Sequence, residues 1–337
     1  MVGVVLSEAY DTALLDLDGV VYAGGEAVPH AVEALREARS AGMAPAYVTN
    51  NALRTPEVVA EHLSRLGVPA AAEEVVTSAQ AVARLIAEEV PAGSAVLCAG
   101  GEGLRVALRE RGLRPVDSAD EGPAAVVQGY GGPEMRWAVL MEAALAVNRG
   151  VPWYASNTDL TVPSGRGIAP GNGAAVEVVR IASGRRREPR VAGKPLPPMH
   201  RESILRTGAV RPLVVGDRLD TDIEGAHAGG VDSLLVLTGV TEAAQLPGAA
   251  PEHRPTYLAA DLRALNVPYP EPVRDGAGFR CGGWRAVAGA DGLVALAGGG
   301  EGADPVDGLR AVCAAAWSAA GPVDAAAALG RLDFGGQ

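Results

Sequence analysis

Apolar positions along the chain fall into short unbroken runs that alternate with stretches of helical period. Thr12 to Leu15, Thr-Ala-Leu-Leu, reads as a buried strand. From Pro29 the pattern changes: Ala31, Leu35 and Ala38 share one helical face, and Gly42 ends it. Ala44 to Val48 is a second strand. Pro56 opens a second helix with Val58, Val59, His62, Leu63 and Leu66 at helical spacing, closed by Gly67, and His62 there reads as a packed core histidine. This β-α-β-α order predicts a parallel sheet with right-handed crossovers.

The pattern repeats from Ser78. Helices are expected near 79–89, 104–111 and 135–149, and strands near 95–99, 124–130 and 153–156. That is a second α/β unit inserted before the first is finished. A loop, 156–170, and a helix over Ala174–Ser183 close it. Arg190 to Ala192 reads as a short strand or hinge, Met199 to Thr207 as a helix, and Leu213–Val215 and Ser233–Leu237 as further strands, with a helix through Ala226 to Gly229 between them. Beyond Glu271 the chain turns rich in glycine and alanine. There Phe279–Ala288 and Leu293–Ala297 predict a hairpin, and Leu309–Ala320 a helix, either packed on the main body or tethered to it.

Chemistry enters where the strands stop. Asp16 and Asp18 follow the first strand, and side chains two apart in a strand point the same way. Like charges that close need a cation or a shared proton, so the pair suggests a magnesium-assisted site with an aspartyl nucleophile. The five residues Asp16 to Val20 alone fit a solvated Asx turn equally well. The second strand stops at Thr49-Asn50-Asn51, whose hydroxyl and amides suit phosphate oxygens or a helix cap. The strand at 213–215 runs into Gly216-Asp217, with Asp220 and Asp222 close behind. Oxygen ligands from separate strand ends suit Mg²⁺, with Asp217 as the third ligand and Asp222 behind it, orienting its neighbours. Asn157, Asp159 and Asn172, in a loop and at a helix start, are candidates to touch the rest of a substrate, although ordinary turn chemistry explains them too. Gly100-Gly101-Glu102-Gly103 lacks the third glycine of a dinucleotide loop, and Gly193-Lys194-Pro195 is no P-loop.

Composition sharpens one of these sites. The 337 residues are 48% hydrophobic with net charge −11, and no basic run exceeds Arg185-Arg186-Arg187, which argues against nucleic acid as partner. No apolar stretch is long enough to span a bilayer, and three scattered cysteines point to a reducing cytoplasm. Lysine and arginine total 29, yet Lys194 is the one lysine. A site that only a point charge fits accounts for it.

Read in order, Asp16-Leu17-Asp18-Gly19-Val20, Thr49-Asn50-Asn51, Gly193-Lys194-Pro195 and Gly216-Asp217-Arg218-Leu219-Asp220-Thr221-Asp222 resemble the four motifs of the haloacid dehalogenase (HAD) superfamily of phosphohydrolases. Residues 8–266 are similar to its subfamily IIA. The resemblance implies a Rossmann-like parallel α/β core at 1–77 and 190–268 and an inserted α/β cap, the type 2A cap of that subfamily, at 78–189. It leaves a small α+β extension at 271–337. That tail is similar to one in the actinobacterial glycerol-3-phosphate phosphatases, likened to part of an acetyltransferase fold, but it is too short to carry that activity.

The resemblance also implies roles. Asp16 is the nucleophile and Asp18 the general acid and base. Thr49, Asn50 and Asn51 bind phosphate, and Lys194 neutralises charge. Asp16, the carbonyl of Asp18, and Asp217 hold Mg²⁺. Pyridoxal-phosphate phosphatases of the subfamily carry a histidine where this chain has Val162. Glycerol 3-phosphate is therefore the expected substrate, with phosphoglycolate, 4-nitrophenyl phosphate or sugar phosphates as alternatives. The expected partner is a small phosphorylated metabolite, with no nucleic acid or membrane, and a homodimer is left open. A phospho-accepting signalling module would use similar residues, but an acid two residues past the nucleophile favours turnover.

Overall fold

The computed structural model describes residues 3–164 and 166–334. The chain divides into two compact units, 1–23 with 27–45 and 211–337, and 24–26 with 46–210. The boundaries expected at 78 and 189 fall inside the second unit.

In the first unit, strands Thr12–Leu15, Pro212–Gly216, Asp232–Val236 and Tyr257–Ala259 lie side by side, all parallel. Thr12 pairs with Pro212 and Leu15 with Val215. Ala13, Leu14 and Leu15 are at most 2% exposed, as a strand covered on both faces requires. Val28 N–H bonds to Val21 O at 2.9 Å and closes the glycine-bearing turn after the aspartates as a small hairpin.

The tail packs onto this unit. Strands Val273–Asp275, Gly278–Cys281, Trp284–Ala288 and Val294–Gly298 form an antiparallel sheet under the helix Pro305–Trp317. Trp284, Leu296, Leu309 and Val312 share one apolar core with Ile223, Leu235 and Leu258. Buried Arg310 donates to Leu258 O at 2.8 Å and pairs with Asp307 at 2.6 Å. The expected single strand 279–288 is two, because Gly282, at φ +51°, reverses the chain between them. The helix begins four residues early, where the Asp304 carboxylate accepts Val306 N–H and Pro305 takes the first position.

In the second unit, Tyr47, Val48 and Thr49 pair in parallel with Val75–Thr77, too short a strand for its periodicity to show. A five-stranded parallel sheet follows, in the order 190–191, 153–155, 125–128, 95–99, 114–116. Helices Trp137–Asn148 and Asn172–Ala182 bury Leu140, Ala143, Val147, Val176 and Val179 against it. Segment 156–170 is not all loop: Thr161–Ser164 and Gly167–Pro170 form an antiparallel ribbon, with Val162 opposite Ala169. Gly167 to Pro170 is largely exposed and carries no inside–outside alternation for a sequence reading to find.

The cysteines Cys98, Cys281 and Cys313 are buried and free, and burial pushes the Cys98 thiol up to about 12. No helix among the described residues is long and apolar enough to cross a membrane.

Candidate active site

The first unit gathers acids at its strand ends. Asp16 N–H bonds to Val215 O at 2.8 Å, so the ladder continues one residue past the strand and sets Asp16 beside the next strand's exit. Carboxylate oxygens of Asp16, Asp217 and Asp222 lie within 4.8 Å of one another. Asp217 and Asp222 are each 1% exposed. Val240 N–H donates to Asp217 Oδ2 at 2.7 Å, and Arg218 N–H to Asp222 Oδ2 at 3.3 Å. Gly19, at φ +82°, closes over the group: a Cβ there would stand 2.6 Å from Asp217 Oδ2. Three neighbouring carboxylates, with oxygen as the sole donor type, fit a hard divalent cation such as Mg²⁺.

Two further aspartates were expected here. Asp222, expected behind the metal ligands, has a carboxylate oxygen within 4.8 Å of those of Asp16 and Asp217. Asp18, expected to offer its backbone carbonyl, is exposed, its carboxylate outside that group and accepting from the Tyr22 hydroxyl at 3.4 Å. Asp220 is also elsewhere, held by Arg218 at 2.8 Å, whose bond keeps its carboxyl below the usual range.

The second unit gathers amides. Thr49 is buried, and its hydroxyl accepts Asn51 N–H at 3.1 Å. Asn51 Oδ1 accepts Leu53 N–H at 2.8 Å, an Asx turn. The Asn50 carboxamide reaches Lys194 N–H, Lys194 O and Asp159. Lys194 is 7% exposed and its ammonium donates to Val48 O at 3.3 Å. Asn157 and Asn172, 4% and 2% exposed, give their amides to backbone: Asn157 to Asn50 O at 2.7 Å, and Asn172 to Asn157 O at 2.7 Å. Both are candidates to touch substrate, and these bonds also brace the loop that carries Asp159.

Two features of this unit had no sequence signal. Glu202, fully buried, binds Arg84, Arg111 at 2.8 Å and Arg206 at 2.7 Å. Burial pushes its carboxyl up, but the arginines Arg84, Arg206 and Arg111 hold it below the ordinary value. His200, 5% exposed, is driven down to about 4 by burial and then by the Lys194 charge.

This geometry agrees with the comparisons to known proteins. Family models for haloacid dehalogenase-like hydrolases match residues 13–114 and 191–265. The chain belongs to the haloacid dehalogenase-like hydrolases and, within them, to the phosphatases. Particular relatives give it close company. A D-glycerol 3-phosphate phosphatase of Mycobacterium tuberculosis is 46% identical over 77% of this chain and 72% of its own length. A crystal structure of a glycerol phosphate phosphatase from the same organism, in complex with magnesium, matches with TM-score 0.87 and 41% identity over 98% of this chain and 99% of that one. An acid sugar phosphatase of Staphylococcus saprophyticus is 37% identical over 76% of this chain and 96% of its own. Residues 281–333 match a model described as a GCN5-related N-acetyltransferase-like domain.

Proposed function

We propose that this chain is a magnesium-dependent phosphomonoesterase that works through an aspartyl phosphate on glycerol 3-phosphate. The Asp16–Asp217–Asp222 group carries the reading, because three carboxylates so close suit a bound cation and leave one of them to act as nucleophile. Asp16, Asp217 and the carbonyl of Asp18 would hold the ion, with Asp222 beside them. When bound, it offsets the charge of the phosphoryl oxygens.

The chain's own groups do the rest. An Asp16 oxygen bonds to phosphorus as the ester P–O bond breaks, and Asp18 gives its proton to the departing glycerol oxygen. Asp18 then takes a proton from water as that water displaces Asp16 and phosphate leaves. The exposure of Asp18 suits it to exchanging protons with solvent and substrate. The Thr49 hydroxyl and the Asn50 backbone N–H hold phosphoryl oxygens, and Lys194 balances their charge.

For the substrate, Val162 on the ribbon offers a side chain with neither charge nor hydrogen bond, and the M. tuberculosis relatives act on glycerol phosphates. The test is phosphate release at saturating Mg²⁺ from glycerol 3-phosphate, pyridoxal phosphate, phosphoglycolate and sugar phosphates. The highest kcat/KM is expected for glycerol 3-phosphate, and a sugar phosphate in that place would overturn the substrate assignment. Mg²⁺ at 100 times its Kd should raise the stability of the wild type by about 2.7 kcal/mol and leave Asp217→Asn largely unmoved.

A further inference from the structure

The Asn50 side chain has a task of its own. A carboxamide offers two N–H donors and one oxygen. Nδ2 donates to Asp159 Oδ2 at 3.2 Å, with Oδ1 at 3.4 Å, and to Lys194 O at 3.2 Å. Oδ1 accepts Lys194 N–H at 2.8 Å. The carboxamide therefore grips both backbone groups of one residue, Lys194, and with its remaining donor holds the loop at 159. Asn50 O accepts the Ser78 hydroxyl at 2.6 Å and the Asn157 amide at 2.7 Å, which fixes the residue that grips. The Lys194 ammonium is held at its far end by Val48 O, two residues earlier on the same strand exit. Gly193 is part of the device: a Cβ there would stand 2.6 Å from Asn50 Oδ1.

We propose that the Asn50 carboxamide is a positioning residue: it sets the Lys194 ammonium and couples it to the 157–159 loop through Asp159, while only its backbone serves phosphate. The proposal rests on the phosphatase reading above. With both donors engaged inside the protein, the side chain has no N–H left for a phosphoryl oxygen. It matters because a cation must stand within a fraction of an ångström of where charge develops. The 157–159 loop leads into the strand that carries Val162, on which the substrate assignment rests, so Asp159 lets that segment's position be felt at Lys194.

Asn50→Asp replaces a donor with an oxygen facing both the Asp159 carboxylate and Lys194 O. We expect kcat to fall about 100-fold, the effect of a misplacement near 1 Å, with KM changed less than about threefold. Asn50→Asp with Asp159→Asn reverses donor and acceptor across that contact and should recover about tenfold of the lost kcat, roughly one hydrogen bond. A readout free of activity comes from the single lysine. Lysine-selective ¹⁵N labelling gives one backbone amide signal, and its hydrogen exchange should quicken in Asn50→Ala. If Asn50→Asp raises KM as much as it lowers kcat, and Asp159→Asn recovers nothing, the carboxamide touches phosphate and the proposal is overturned. Unchanged exchange in Asn50→Ala would overturn it as well. A wild type that cleaves no phosphomonoester, but whose Lys194 amide loses protection in Asn50→Ala, would instead sink the phosphatase reading and leave the brace standing.

Discussion

Two buried polar clusters in this molecule are built on opposite principles. In the first unit three carboxylates, Asp16, Asp217 and Asp222, crowd within 4.8 Å. In the second, one carboxylate, Glu202, takes three guanidiniums, Arg84, Arg111 and Arg206. The Glu202 cluster joins helices Ser78–Ala87 and Pro197–Thr207 to the arginine after Glu102–Glu110, and its signs already attract. The aspartate cluster gathers one sign and gains from an added cation. Glu202 therefore serves stability, and on the function proposed above the aspartates give stability up for chemistry.

The widest split between the two should come from Asp16→Asn. An amide is no nucleophile, so kcat should drop by about 10³-fold or more, while the melting temperature holds or rises because one like charge is gone. A melting temperature that fell with the rate would erase the distinction. Glu202→Ala should do the reverse, destabilising by about 2–3 kcal/mol by removing the buried carboxylate that three part-exposed guanidiniums bind. Denaturant unfolding measures it, and at temperatures where the variant stays folded its kcat should lie near that of the wild type.

His200 sharpens the contrast through pH. Its folded value, about 4, lies below the ordinary 6.5, so the neutral ring is favoured in the fold. Its contribution is fully present above pH 6.5 and is lost as pH falls through 4, in total about 3 kcal/mol. His200→Phe should flatten the stability profile between pH 6.5 and 4, and an unchanged slope would assign the acid sensitivity to other groups. The smallest effect belongs to the substrate side. Val162→His should narrow the gap between glycerol 3-phosphate and pyridoxal phosphate by about 1 kcal/mol in kcat/KM, the worth of one new hydrogen bond.

The aspartate cluster was legible in the sequence because strands announce themselves by apolar runs and their ends by the polar residues that follow. Asp16 and Asp217 needed only that. Asp222 was legible as a neighbour of the site, although the turn Leu219–Ile223 that brings it back leaves no periodic trace. The Glu202 cluster was invisible: its arginines come from positions 84, 111 and 206, and nothing local distinguishes them from surface charges. The Asn50 brace spans 144 residues, and a motif that names Asn50 and Lys194 separately says nothing of the bond between them. The ribbon of 161–164 with 167–170 and the split tail strand were lost for a local reason, because the largely exposed strand Gly167–Pro170 and a two-glycine turn break the alternation that strand reading depends on.

The lone lysine has a practical consequence. An amine-acylating reagent meets one side-chain target in the whole chain, and in the fold it is 7% exposed. Acylation of that amine is therefore gated by opening of the protein around it. One mass increment at Lys194, followed over time, becomes a clock for how often this unit opens, with the 28 arginines silent to the reagent (29 basic residues less one).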